Sequence, residues 1–247
     1  MDTAMGNRTN LSLAQADGES VELLESVTYF PLFWLLGTLD EPMTAQIERV
    51  QATPELDEED YDEAAYADAY SDWFYQNKLG EVSLPIAQFS SNLKAHKAYI
   101  DAQYSPLSSL YERFIALMAA QEHTHPDASV NIEYSELTDF SDTPAQYHQE
   151  MAQTVAQIHN NQQVGPDWFD PTDVLLSSIG TDEYSEHEGE RLFTSETFDS
   201  TERQLVEAFS KKPGQQSDQS EATASTLAYS SEAKKPSFFQ RLFRRSK

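Results

Sequence analysis

The run SPLSSLYERFIALM, residues 105–118, reads as a helix from both its start and its spacing. Pro106 follows Ser105, and proline suits a first helical turn because its missing N–H would lack an intrahelical acceptor there anyway. Behind it, Leu107, Leu110, Tyr111, Phe114, Leu117 and Met118 recur at steps of three and four, which sets them on one face.

The same grammar returns along the chain. Asp40-Glu41-Pro42, Thr53-Pro54 and Thr143-Pro144 each join a polar cap to an early proline, and Leu84-Pro85 does so with Ser83 as its cap. One-faced apolar sets follow three of these starts: Met43, Ile47 and Val50; then Ile86, Phe89, Leu93, Ile100 and Tyr104; then Tyr147, Met151, Val155 and Ile158. Asp199-Ser200-Thr201-Glu202 resembles a capping box ahead of Leu205, Val206 and Phe209. Between residues 163 and 191 glycines and prolines mark a loop, with one helical turn at Val174–Ile179. Val130, Ile132 and Tyr134 alternate, which allows one edge strand. No repeat of fixed period is present. The expected fold is mainly α: an irregular domain of about six or seven helices over residues 19–210. Residues 1–18 and 211–233 are expected to be disordered, the second because its Ser, Gln, Ala and Thr cannot bury enough to offset ordering entropy.

The most apolar stretch is Val27–Leu39, VTYFPLFWLLGTL. A membrane-crossing helix needs roughly 20 apolar residues, so this shorter run, with Pro31 and Gly37 inside it, is expected to be core. The first residues are polar and show no basic stretch leading into an apolar one, so no secretory leader is expected.

Charge constrains partners more than fold. Against 42 acidic residues stand 16 basic ones, a formal net charge of −26. Such a body is ill suited to bind a nucleic-acid backbone, where Lys and Arg must displace counterions. It is better suited to a basic protein partner or to mimicry of nucleic-acid charge. There is no cysteine, so disulfides, thiolate metal ligands and a cysteine nucleophile are excluded. The chain is expected to be cytoplasmic, or peripheral on the inner membrane face.

The C-terminal segment reverses the sign. Residues 234–247, KKPSFFQRLFRRSK, hold six bases and no acid, so the rest of the chain sets ten bases against all 42 acids, a formal −32. Phe238, Phe239, Leu242 and Phe243 fall at i, i+1, i+4 and i+5, one face of a short amphipathic helix. Lys234, Lys235, Arg241, Arg244 and Arg245 flank that face. A short aromatic face with a cationic rim fits an anionic membrane interface, each basic residue contributing about 1 kcal/mol. The same residues fit a protein groove. Gln240-Arg241-Leu242-Phe243 resembles the short peptides with which bacterial proteins bind the replicative sliding clamp, short of one spacer residue of that pattern.

Other clusters have plainer explanations. Glu55, Asp57–Asp60, Asp62, Glu63, Asp68 and Asp72 crowd one segment with Tyr66, Tyr70, Trp73 and Phe74 at helical spacing, which describes a solvated acidic face on an aromatic one. Asp60 and Asp62 alternate as in a calcium loop, but the central glycine is missing. His123 and His125 close the helix from Pro106, where a cation complements the dipole. His148 and His159 share a face of the helix from Pro144, so a metal site or a hydrolytic centre built between two helices from His123, His125, His148 and His159, with Glu112 and Glu150 nearby, is one alternative. Asp167-Trp168-Phe169-Asp170, bracketed by Pro166 and Pro171, reads as a packed turn and not as a pair of glycosidase carboxylates. No GxGxxG, P-loop, GxSxG or HExxH motif is present. The expected function is therefore a non-enzymatic acidic adaptor without cofactor, tethered through Lys234–Lys247 to an anionic membrane or a protein partner. An exported effector with a C-terminal transport signal is a further alternative.

Overall fold

The computed structural model describes residues 7–16, 18–54, 56, 63–141, 143–182 and 193–210. It corrects the all-α expectation: helices pack against a four-stranded antiparallel sheet, so the fold is mixed α and β. The strands are β1 (Arg8–Ala14), β2 (Ser20–Val27), β3 (Glu81–Pro85) and β4 (Ser129–Glu133), in the order β2-β1-β4-β3. Two expectations fall with this. Residues 8–14, within the segment expected to be disordered, form an inner strand, and the Val130–Ile132 alternation belongs to the other inner strand, not an edge.

The sheet has one apolar face. Leu11, Leu13, Val82, Leu84, Val130 and Ile132 are buried, while Asn10, Ser12, Ser83 and Asn131 alternate with them on the other side, as the two-residue pleat dictates. On β2 the alternation breaks. Leu11 pairs with Leu24 but Ser12 pairs with Glu22, so Leu23 is the extra residue of a bulge, and Leu23 and Leu24 are both buried.

Helices α1 (Leu32–Thr38), α2 (Glu41–Ala52) and α3 (Glu63–Gln76) link β2 to β3 at the opposite edge. Next come α4 (Ile86–Ala95), α5 (Lys97–Gln103), a 3-10 turn at Ser105–Leu107 and α6 (Ser108–Thr124), which return the chain to β4. A 3-10 turn at Ser135–Phe140, α7 (Pro144–His159), α8 (Val174–Ser178) and α9 (Ser195–Ser210) follow. The proline grammar located α2, α4, α6 and α7; at Thr53-Pro54 it did not hold, since Thr53 ends α2 and α3 begins at Glu63. Thr143 caps α7 with its side chain on the Gln146 N–H at 3.2 Å, and Tyr147, Met151, Val155 and Ile158 are all buried. The set after Pro85 is split, because the chain breaks at His96 between α4 and α5. Helix α9 starts four residues before the expected capping box, at Ser195.

The stretch Val27–Leu39 is the centre of the molecule. Every residue of α1 is buried, and α1 touches α2, α4 and α8. Trp34 donates its indole N–H to the Ile179 carbonyl at 2.8 Å. Asn92 of α4 donates its amide to the carbonyls of Gly37 and Leu39 at 3.0 and 3.1 Å, satisfying acceptors at the helix end. Gly37 permits this closeness: a Cβ there would lie 2.2 Å from the Phe89 ring. Among the described residues no helix is long and apolar enough to cross a membrane.

Gly37→Ala is therefore expected to lower unfolding stability by about 1–3 kcal/mol, as overpacking does. Urea unfolding measures it, and adding Phe89→Leu in the same chain should recover part of the loss. A Gly37→Ala protein as stable as the parent would mean that α1 and α4 do not meet at that point.

Candidate functional site

A cleft of ≈ 360 Å³ opens where the β2–α1 link, the 3-10 turn at Ser135–Phe140, α7 and the turn before α8 come together. Thr28 bends the chain from β2 into its wall with φ 78°, an outlying value for a β-branched residue, and holds it by donating its N–H to the Asn7 carbonyl at 2.7 Å. The opposite wall is a tight turn in which the N–H groups of Trp168 and Phe169 both reach the Gly165 carbonyl. This is the packed turn expected for Asp167–Asp170, with Trp168 and Phe169 buried.

Aromatic rings form the floor. Trp168 lies 5.7 Å from Tyr147 and 6.4 Å from Phe30, and Phe30 meets Tyr134 edge-on at 5.1 Å. Phe140, an exposed ring, stands at the rim. The charged part of the lining is acidic: Glu150, Asp167 and Asp170 line the cleft, and among the described residues no Lys, Arg or His does.

One hydrogen bond organises the acidic side. Tyr29 donates its hydroxyl to an Asp170 carboxylate oxygen at 3.1 Å. The other Asp170 oxygen accepts from the Thr172 N–H and hydroxyl, both at 2.7 Å. These bonds, those from Thr172 foremost, hold the Asp170 carboxyl below the usual carboxylate range. Burial, then the Asp170 charge and its hydrogen bond, push the Tyr29 hydroxyl up to about 12, with Asp173 and Asp167 adding to the effect. Across the neutral range Asp170 stays ionised and Tyr29 stays protonated, so the pair is a fixed hydrogen bond and not a proton-transfer couple. Carboxylates and ring faces are the two kinds of group in this lining, and both attract cations.

The histidines do not assemble. His148 is buried; its Nδ1–H donates to the Pro144 carbonyl at 2.7 Å and its Nε2 accepts from the Tyr134 hydroxyl at 2.8 Å. Both nitrogens are thereby used inside the core. His159 lies 3.4 Å from Asp40, while His123 and His125 sit at the end of α6, the first exposed and the second half-buried. Among the described residues no group of three or more His, Asp or Glu side chains is placed to hold a metal ion. Of the acidic run, residues 55 and 57–62 lie outside the described residues, while Asp68 and Asp72 are exposed on α3 and Phe74 packs with Val50 and Leu79. The segment Lys234–Lys247 lies outside the described residues too.

Sequence reasoning missed Tyr29 and Glu150 as partners of the Asp167–Asp170 turn. Tyr29 lies more than a hundred positions away and Glu150 seventeen or more, and the local signal was a pair of acids flanking two aromatics. No protein-family model matches the chain, and neither a curated protein nor a solved structure is significantly similar to it.

Burial drives the His148 pKa down to about 4, from an ordinary 6.5. Between these values the unfolded chain binds the proton and the folded one does not, so this contribution is complete above pH 6.5 and is lost as the pH falls toward 4. The full effect is on the order of 3 kcal/mol. Denaturation midpoints of the parent and His148→Gln, compared between pH 4 and 7, are expected to diverge in slope. Parallel curves would place the acid sensitivity elsewhere.

Proposed function

We propose that this chain is a non-enzymatic acidic interaction protein that reaches its place of work through Lys234–Lys247. The observation that carries the proposal is the division of charge: a formal +6 in that segment against −32 in all that precedes it. His148 has both ring nitrogens hydrogen-bonded in the core, and Asp170 and Tyr29 form a fixed hydrogen bond, so this reading gives none of the three an acid–base role.

In this reading the segment seats Phe238, Phe239, Leu242 and Phe243 in an anionic membrane interface, with its basic residues on the headgroups. The acidic body is held off the like-charged surface and stays available to a basic partner. The protein then works from the cytoplasm as a peripheral component of the inner membrane face.

Co-sedimentation with anionic liposomes tests it. The full chain is expected to pellet at moderate ionic strength and to release as salt rises, while a truncation after Ala233 stays in solution. Two soluble chains would refute the membrane anchor, and residues 234–247 would then serve as bait for a protein groove.

A further inference from the structure

The acidic aromatic cleft and the basic aromatic segment are chemical complements, and the fold delivers one to the other. The ring of Phe209, next to last in α9, packs on Phe169 at 5.3 Å. Phe169 is the residue between Trp168 and Asp170, both of which line the cleft. The chain thus leaves α9 beside the cleft wall. With the composition of residues 211–233, the connection to Lys234 has a reach of roughly 25 Å. A link of this kind holds its end at an effective concentration of about millimolar, so even a weak site is substantially filled.

We propose that Lys234–Lys247 docks within the same molecule on the cleft floored by Phe30, Tyr147 and Trp168. An aromatic side chain of the segment enters against those rings, and neighbouring arginines meet Asp167, Asp170 and Glu150 at the rim. Size agrees: ≈ 360 Å³ takes a side-chain-sized guest, near the low end of the ~300–1,000 Å³ usual for ligand sites. Charge agrees as well, because the cleft offers carboxylates and, among the described residues, no basic one. Arginine is the cation best matched to this lining, since its planar fork pairs with carboxylates and stacks on rings. The larger cavity on the open sheet face, ≈ 530 Å³, is lined chiefly by Ser, Asn, Glu and Lys78, offers no ring and has no such match.

The closed form does not depend on membrane binding and is tested without lipid. Because the chain has no cysteine, Ser246→Cys gives one unique attachment point for a nitroxide on the full-length protein. In a ¹⁵N-labelled sample at low ionic strength, the amide signals of Tyr29, Phe140, Asp167 and Trp168 are expected to lose about half or more of their intensity through proximity, while those of Ser12 and Asn131 keep theirs. About 0.5 M salt should restore the signals. Glu150→Lys with Asp167→Lys should abolish the effect while circular dichroism and thermal midpoint stay near the parent's. The neutral pair Glu150→Gln and Asp167→Asn should weaken it if the reversed pair does not fold. Even loss across all signals, or loss confined to another surface, overturns the proposal. So does loss that appears when spin-labelled chains without ¹⁵N are mixed with unlabelled ¹⁵N chains, since that would mean docking on a second copy.

Discussion

The structure hangs on a helix with no solvent side. Most helices of a domain offer water one face, but α1 is buried all round and packs on α2, α4 and α8. Such burial is tolerable only if the polar atoms at its ends and on its side chains find partners. Asn92 supplies them at the C-terminal end, Pro31 accepts from the first turn, and the Trp34 indole reaches the Ile179 carbonyl. Pro31 belongs to α1's own first turn, but Asn92 and Ile179 lie on other elements, so α4 and the segment after α8 are fixed with respect to α1 by directional bonds as well as by packing. Gly180 at φ 80° closes the arrangement, because a Cβ there would stand 2.6 Å from the Glu25 carbonyl.

Helices were legible in the sequence because proline at an early turn followed by a three- and four-step apolar face is a redundant signal. It survives a polar composition. Strands were not, for identifiable reasons. β1 and β3 show only Leu11 with Leu13 and Val82 with Leu84, two apolar positions apiece on the buried side. β2 spoils its own alternation with the bulge at Leu23. The pair Asp17-Gly18 between two short alternating runs was the hairpin signal available, and it is a local hint that a long polar N-terminus masks. Of the run Val27–Leu39 the part from Phe30 on lies in the core as expected, while Thr28 is exposed, and nothing in it announces which helices surround it.

The cleft illustrates the same limit for a site. Its acidic turn was visible in Asp167–Asp170, and its rings were counted among the aromatic residues, yet their meeting is a tertiary event. Tyr29 reaches Asp170 because α1 is anchored where it is, and Trp168 faces Tyr147 because α7 packs on α2. The aromatic ladder Phe30–Tyr134–Tyr147–Trp168 runs from the site to the buried His148. The ring contacts there are edge-on or tilted, the arrangement in which ring edges meet ring faces favourably.

Both borders of the sheet carry a stop. On β2, Glu25 exchanges two backbone hydrogen bonds with Thr181, at 2.8 and 2.7 Å, so that stretch of edge is already occupied by the chain itself. On the opposite border β3 is short and ends on Pro85, a residue with no N–H to offer an incoming strand. Both features oppose the addition of a strand from a second molecule, and so make polymerisation through the sheet edges less favourable.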